Sequence, residues 1–325
     1  MRSMLRALIS PFTKTSGLAR WMLVVGVVIT AAFLIMAIFD PWLAPYGFAQ
    51  SSANGHQFPK LAPPGNGHPF GTDSLQFDVL SRVMWGARTA VEVVILAVVA
   101  SLAVGVPLGL ISGYYGSWLD RVLTLIMDAI YAFPSLLLAI VFAFLLTGLL
   151  GGGGVISAAM SLTVIYVPQY FRVVRNTTIS AKEASYVEAA RAIGAPDGVI
   201  MRRYLFGNVI QSVPVIGTLN AADAIGTLAG LGFLGLGIQP TQAAEWGFDL
   251  QRAIADASSG IWWTGVYPGV AIVLLITGLT LVGEGLNETV NPVLRRRRLL
   301  PVVLPPREQQ GTVIPTREQV REEQA

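Results

Sequence analysis

The chain has no cysteine and only two histidines among its 325 residues. The missing thiols exclude a disulfide framework, a thiolate metal site and a thiol nucleophile. His56 and His68 are 12 residues apart and have no carboxylate cluster beside them, so we interpret both as solvated loop residues rather than metal ligands. No Gly-Lys pair occurs, which excludes a Walker A loop, and no Ser/His/Asp constellation is visible. The chain is therefore predicted to be no enzyme by itself and to bind no cofactor of its own.

Charged residues are also scarce. They make up 13% of the chain, against about 25% in soluble domains, while 53% of the residues are apolar and the mean hydropathy is +0.61. This composition predicts an integral membrane protein. The pI of 9.3 fits a nucleic-acid-binding protein equally well, but the positions of the basic residues, described below, argue against nucleic acid.

Long charge-free stretches predict an all-α, polytopic membrane protein with six transmembrane helices. A span needs about 20 apolar residues. We place the spans near 21–39, 90–112, 121–146, 155–174, 207–229 and 264–286. The first has an apolar core of 19 residues, longer than the roughly 7–15 of a secretory signal, so we interpret it as a retained helix.

The lysines and arginines predict the orientation of these spans. With a cytoplasmic N-terminus, 18 of the 22 basic residues lie in inside segments, a strong positive-inside bias. Both termini are then cytoplasmic. The predicted segments are a cytoplasmic N-terminus (1–20), the first helix (21–39), an extracytoplasmic loop (40–87), a five-helix core (88–290) with a cytoplasmic loop (176–206), and a basic, disordered tail (291–325). The arginines 295–298 are interpreted as an orientation anchor with affinity for anionic lipid.

The cytoplasmic loop 176–206 contains a short amphipathic helix. Helix-forming residues run from Lys182 to Ile193, Gly194 is placed to end the helix, and Pro196 can open the next one. An apolar stripe at helical spacing contains Tyr186, Val187, Ala190 and Ile193. The stripe predicts a docking surface for a cytoplasmic protein. The alternative is a helix lying on lipid headgroups, although the stripe is small and poor in Trp, Phe and Leu.

Acidic residues inside predicted spans are candidates for function, because a charge at the bilayer centre costs about 2.5–3.5 kcal/mol on insertion scales. Four lie in or at the ends of spans: Asp128, Asp223, Glu284 and Glu92. For Asp223, near the middle of the fifth span, a role in a translocation path and a role in helix contact both stay open. For Asp128 and Glu284 we expect pairing with Arg121 or the Arg295 cluster, and for Glu92 a place at the outer interface.

Five glycines between Gly226 and Gly237 indicate that the fifth span breaks and turns at its outer side. Broken helices at membrane depth are tolerated where they line a cavity. The pattern therefore favours a translocation role over that of a passive anchor.

Residues 186–195 resemble the EAA loop of the permease subunits of ATP-binding-cassette importers: Tyr186-Val187-Glu188-Ala189-Ala190-Arg191-Ala192-Ile193-Gly194-Ala195. Further stretches resemble the C-type subunit of the dipeptide, oligopeptide and nickel branch, namely 41–46, 68–73, 78–82, 85–88, 113–116, 127–128, 133–139, 233–240, 245–247, 268–269 and 283–288. The similarity runs from about Trp42 to Arg295. The chain departs from the family pattern at 76–77 and 205–208, which affects the substrate preference and leaves the core of the EAA loop intact.

The resemblance implies a type I ABC importer permease fold in a bacterial plasma (inner) membrane. The chain would form half of a pore with a homologous second permease, two cytoplasmic ATPase subunits would bind ATP and Mg, and an extracytoplasmic protein would deliver short peptides. The expected ATPase-coupling residues are Ser185, Tyr186, Glu188, Ala189, Ala190, Arg191 and Gly194. The expected residues of the translocation path are Asp223 and Asp128. Nickel or another small solute is an alternative cargo. Ion-coupled secondary transport through Asp223 and a non-transporting scaffold are alternative functions.

Overall fold

A computed structural model describes residues 18–65, 67–149 and 153–290. Most of the predicted N-terminal segment 1–20, two of the four consecutive glycines and the whole tail 291–325, with its arginine cluster, lie outside the described residues. The predictions made for those parts therefore stay predictions.

The described chain is helical apart from one small hairpin. Its helices are α1 (Leu18–Leu43), α2 (Val79–Tyr115), α3 (Ser117–Tyr131), α4 (Ser135–Leu149), α5 (Val155–Ala181), α6 (Ser185–Ala192), α7 (Asp197–Phe233), α8 (Trp246–Ala257) and α9 (Trp263–Val290). Helix α7 contains a π-helical stretch (Ile200–Leu205) and a 3₁₀ turn (Ile210–Ser212). Strands β1 (Ser52–Ala53) and β2 (His56–Gln57) pair antiparallel, with Ser52 opposite Gln57.

Within the described residues, length and composition identify α1, α2, α7 and α9 as helices that could each cross a membrane. A fifth is present if α3 and α4 count as one span, bent by 95°. The predicted span 155–174 lies in α5, which is long enough to cross a membrane but more polar than these four helices. The reason is its position: α5 packs along α2 and buries hydroxyl groups such as those of Ser161 and Thr163, which bond to carbonyl oxygens of their own helix.

The span predicted near 121–146 is interrupted, because the helix breaks between Tyr131 and Ser135. Pro134 lacks the N–H that a continuous helix needs, and a proline disfavours the helical conformation of the residue before it, here Phe133. The glycine-rich fifth span, in contrast, stays helical until Phe233. The chain turns only beyond it, at Gly235, whose φ is +75°.

Close backbone contact joins α2 to α5. Three glycines of α2 stand four residues apart, and a Cβ added to any of them would lie 2.6–2.8 Å from a carbonyl oxygen of α5: Gly105, Gly109 and Gly113 face Val167, Phe171 and Arg175, respectively. Small residues at this spacing let membrane helices approach closely. This stripe was not predicted, although the Gly-x-x-x-Gly-x-x-x-Gly pattern is visible in the sequence.

We call the end of the molecule that holds residues 44–78 the loop end and the end that holds residues 182–196 the coupling end. At the loop end, the indole N–H of Trp246 donates to the carbonyl oxygen of Val83 over 3.1 Å, and Gly86 leaves room for its ring. The indole N–H of Trp263 donates to the carbonyl oxygen of Thr72 over 3.1 Å. These two side chains tie α8 and α9 to α2 and to the loop.

Helix α2 begins earlier than predicted because Asp78 caps it. Oδ2 of Asp78 accepts hydrogen bonds from the backbone N–H of Ser81 at 2.8 Å and from its hydroxyl at 2.7 Å. Oδ1 lies 2.9 Å from Nδ1 of His68, which is 9% exposed. The prediction that His68 is a solvated loop residue is therefore wrong, whereas His56 is exposed.

Candidate functional site

Helix α6 at the coupling end stops where the sequence indicated. Gly194 has a φ of +78°, which favours glycine. Its N–H donates to the carbonyl oxygen of Arg191 over 2.9 Å, and the N–H of Ala195 donates to that of Ala190 over 3.0 Å. These two bonds form a Schellman motif. Pro196 then caps α7, so α6 and α7 are joined by a short, fixed turn.

The apolar stripe of α6 is divided between two environments, which corrects the prediction of a single docking face. Val187 and Ala190 are buried against Tyr114, Ile200 and Leu205. Only the remaining members of the stripe are exposed: Tyr186 at 39% and Ile193 at 80%. An eight-residue helix is unstable alone and must be anchored by tertiary contacts, which this buried half provides.

Most of the residues expected to couple to an ATPase face away from the chain. The exposed ones are Ser185, Tyr186, Glu188, Ala189, Arg191 and Gly194. Ala190 is the exception, because it belongs to the buried half. The outward face thus presents an aromatic ring, a carboxylate and a guanidinium within one short helix.

A polar latch, formed by Tyr114, Arg191 and Asp197, connects the ends of α2 and α7 next to α6. The hydroxyl of Tyr114, at the end of α2, donates to Oδ1 of Asp197 over 2.6 Å. The guanidinium carbon of Arg191 lies 5.5 Å from the centre of the Tyr114 ring. The latch therefore links α2, α6 and α7. Sequence analysis missed it, although Tyr114 lies in the 113–116 stretch that carries part of the family resemblance.

A further ion pair connects helices near the coupling end. Arg175 of α5 contacts Asp120 of α3 through both carboxylate oxygens, with 2.6 Å between Nη2 and Oδ2. The hydroxyl of Ser112, on α2, donates to the same carboxylate over 2.5 Å. Three helices are therefore joined at one carboxylate.

The partner predicted for Asp128 is wrong. Its carboxylate lies 2.6 Å from Nη2 of Arg172 on α5, and the Arg172 guanidinium also lies 4.1 Å from the centre of the Tyr131 ring. Arg121 is not involved. Glu284 is exposed, and the Arg295 cluster lies outside the described residues. Glu92 bonds to Arg88 at 2.8 Å, near the loop end.

Asp223 projects into a cleft of about 400 Å³ whose opposite wall is the break between α3 and α4. Its carboxylate is exposed, whereas the flanking residues Ala222 and Ala224 are buried. Oδ2 accepts a hydrogen bond from the hydroxyl of Tyr166 over 2.8 Å. Asp128 does not line this cleft, so the two residues expected in the translocation path are not brought together in one cavity.

The loop-end motifs form a buried polar network. Arg82 is 2% exposed, lies 2.6 Å from Oδ1 of Asp249 and donates to the carbonyl oxygen of Phe48 over 3.0 Å. It also lies over the ring of Phe77. The motif 78–82 therefore serves to hold the loop onto α8.

Glu245 caps α8 from inside the protein. It is 3% exposed and accepts hydrogen bonds from the backbone N–H groups of Gly247 and Phe248, each at 2.8 Å. Burial, the largest cause, raises the pKa of Glu245 to about 8, although these two hydrogen bonds oppose the shift. Burial likewise raises the pKa of Asp73 to about 6.

Among residues 18–65, 67–149 and 153–290 no group of three or more His, Cys, Asp or Glu side chains could hold a metal ion.

Two family models match the chain. The model described as "Binding-protein-dependent transport system inner membrane component" matches residues 105–296, and the one described as "N-terminal TM domain of oligopeptide transport permease C" matches residues 18–64.

Curated relatives match over most of their length. The dipeptide transport system permease protein DppC of Alkalihalophilus pseudofirmus is 34% identical over 275 residues, covering 84% of this chain and 86% of the relative. The glutathione transport system permease protein GsiD of Pectobacterium atrosepticum is 32% identical over 264 residues, covering 81% and 85%.

Among solved structures, an inward-facing conformation of the MetNI methionine ABC transporter matches with a TM-score of 0.53 and 19% identity. The match covers 65% of this chain and 96% of that chain, and it shows a shared ABC importer permease fold. The chain therefore belongs to the family of inner-membrane components of binding-protein-dependent transport systems, in its C-type permease branch.

Proposed function

We propose that this chain forms half of the translocation path of an ATP-driven importer for short peptides. The names of the two relatives support this cargo, because dipeptides and glutathione are both small peptides. We favour a peptide over nickel as the cargo, because the described residues hold no cluster of side chains suited to a metal ion.

Coupling to an ATPase is assigned to the outward face of α6. The observation that carries this assignment is that α6 is anchored from beneath by Val187 and Ala190 while Tyr186, Glu188 and Arg191 stay exposed. Such a helix is held rigidly and still has a surface free for a partner. It is therefore suited to transmit force.

The proposed topology has six spans and two cytoplasmic termini. The spans are α1, α2, the bent pair α3–α4, α5, α7 and α9. An even number of spans returns the chain to the starting side, as the positive-inside bias requires. The segment 40–87 would then face the extracytoplasmic side and receive the binding protein, while 1–20 and 291–325 would be cytoplasmic.

The proposed assembly contains a homologous second permease, two ATPase subunits that bind ATP and Mg, a substrate-binding protein and the surrounding membrane lipid, with no nucleic acid. Closure of the ATPases around ATP would displace α6. Through the latch, α6 would carry α2 and the start of α7 with it. ATP binding thus shifts the equilibrium between two arrangements of these helices. The path is open to one side of the membrane in the first arrangement and to the other side in the second.

The path itself is assigned to the cleft beside Asp223. A helix break that lines a cavity is the arrangement in which irregular backbone is tolerated at membrane depth. Asp128 is placed further along the same path, where its charge is compensated by Arg172.

Purification of the tagged chain in mild detergent from its native membrane, followed by uptake measurements in proteoliposomes, tests this proposal. We expect a second permease and ATPase subunits to co-purify, and labelled dipeptide to be taken up only with ATP and binding protein. Uptake driven by an ion gradient without ATP would instead show a secondary transporter. Recovery of partners without any uptake would show a scaffold.

A further inference from the structure

The face of α7 that contains Asp223 is exposed, and Asp223 itself lines the cleft. One turn to either side, Leu219 and Gly226 are exposed as well, whereas Asn220 and Thr227 are buried. The exposed residues follow the i, i+4, i+7 spacing of one helix face. Asp223 therefore projects from a continuous exposed surface.

The carboxylate of Asp223 is held in a fixed orientation. Tyr166, whose side chain is fully buried, donates its hydroxyl proton to Oδ2. Among the described residues no hydrogen-bond partner is found for Oδ1, so one oxygen stays available to a ligand. A carboxylate at this depth is costly unless it faces water or a cation.

The cleft around Asp223 has one sign of charge. Opposite the carboxylate lie the ring of Tyr131, the hydroxyl-bearing Ser135 and the amide of Gln169. No described residue that lines the cleft is basic. The nearby Arg172 is already paired with Asp128, at 2.6 Å. A cation entering the cleft therefore meets a single, uncompensated negative charge.

We propose that Asp223 binds the α-ammonium group of a peptide during its passage, with Tyr166 as the residue that positions the carboxylate. This inference rests on the proposed function, since it names the part of the cargo that the path recognises. An ammonium group supplies three N–H donors, which suit the free Oδ1 and the neighbouring Gln169 carbonyl oxygen.

A single thiol introduced one helical turn from Asp223 can report on the charge of this residue, because the chain contains no cysteine. Gly226→Cys is suited to this purpose, since an added Cβ would meet only Ile276, at 3.8 Å. In the purified complex, we expect a trimethylammonium methanethiosulfonate to modify this thiol faster than a sulfonate one. Adding Asp223→Asn should reduce that ratio by at least about threefold, the effect of one charge at one helical turn even in water. An unchanged ratio would overturn the inference.

Protection by peptide tests the ligand directly. Alanyl-alanine at millimolar concentration should slow modification of the Gly226→Cys thiol, whereas acetyl-alanyl-alanine should not. Asp223→Asn should abolish this protection. Because asparagine still accepts the hydrogen bond from Tyr166, a purely structural Asp223 would leave the protection intact, and that result would overturn the inference. Tyr166→Phe should weaken the protection without removing it.

Uptake by the same preparations distinguishes a failure of the ammonium site from a failure of the proposed importer function. ATP-dependent uptake of alanyl-alanine by the wild type, together with equal or absent protection by the two peptides, would overturn the ammonium site and leave the importer function standing. Absence of uptake despite active ATPases would overturn the proposed function itself.

Discussion

The hydroxyl of Tyr114 lies 2.6 Å from Oδ1 of Asp197, although the two residues are 83 positions apart in the chain. This bond connects the last turn of α2 to the first turn of α7, and α6 lies between the two ends. Helix α6 packs on both joined helices, since Val187 and Ala190 are buried against Tyr114 and Ile200, so we expect a displacement of α6 to be passed to both. We therefore expect the latch to pass a movement of the docking face to α2 and α7.

Tyr114→Phe removes this bond and keeps the aromatic contact with Arg191. A hydrogen bond to a charged group contributes about 1.5–3 kcal/mol, so we expect the link between α2 and α7 to loosen. The purified transporter should still hydrolyse ATP while importing several-fold fewer peptides per ATP. The measurement is the ratio of uptake to hydrolysis in proteoliposomes. Tyr115→Phe, at an exposed neighbouring position, is the matched control, and equal ratios for the two variants would contradict the latch.

Glu188→Arg should abolish uptake while the protein is still inserted in the membrane. Glu188 is exposed on the face assigned to ATPase docking, so reversing its charge changes the surface presented to a partner. The measurement is the amount of ATPase subunit retained on the purified chain. Glu183→Arg makes the same charge change just before α6 and should retain the subunit. Loss of the subunit in both variants would indicate a general electrostatic effect in place of a docking contact.

Gly109→Ala should destabilise the folded protein. The new methyl group would lie 2.6 Å from the carbonyl oxygen of Phe171, and overpacking of this kind costs about 1–3 kcal/mol. The midpoint of thermal unfolding in detergent should fall by several degrees. Gly148→Ala is the matched control, because nothing lies within 4 Å of its added Cβ. Equal midpoints for both variants would show that α2 and α5 can separate without cost.

The pH dependence of stability should report on Glu245. Its pKa is raised to about 8 in the folded protein, against an ordinary value of 4.5. Between these values the unfolded chain releases the proton while the folded protein keeps it, so wild-type stability should fall from pH 4.5 to 8 and then level off. Glu245→Gln should flatten much of this fall, measured as the unfolding midpoint at several pH values.

A residual slope should remain in Glu245→Gln, because the pKa of Asp73 is also raised, to about 6. This second contribution should end near pH 6, whereas that of Glu245 continues to pH 8. Parallel profiles for the wild type and Glu245→Gln between pH 6 and 8 would contradict the assignment.

Sequence reasoning predicted the features that depend on local chemistry. The membrane class followed from composition, and the end of α6 followed from Gly194, because a left-handed residue after a helix favours glycine. The fold family followed from motifs spread along the chain, which the comparisons confirm.

The features that depend on neighbouring helices could not be predicted in this way. Val187 and Ala190 share a stripe with Tyr186, and only the position of Ile200 and Leu205 makes one half of the stripe interior. Asp128 pairs with Arg172 and not with Arg121 because α5, which carries Arg172, packs against α3. The polarity of α5 likewise reflects the protein that surrounds it.

Because of the glycine stripe between them, α2 and α5 are expected to move as one rigid unit. Their backbones are in contact at three levels, so neither helix can roll or slide without the other. Helix α2 has 37 residues and is therefore about 55 Å long, so a tilt of about 5° around one end moves the other by about 5 Å. A modest push at the coupling end thus suffices to shift residues at the loop end by more than the diameter of a water molecule.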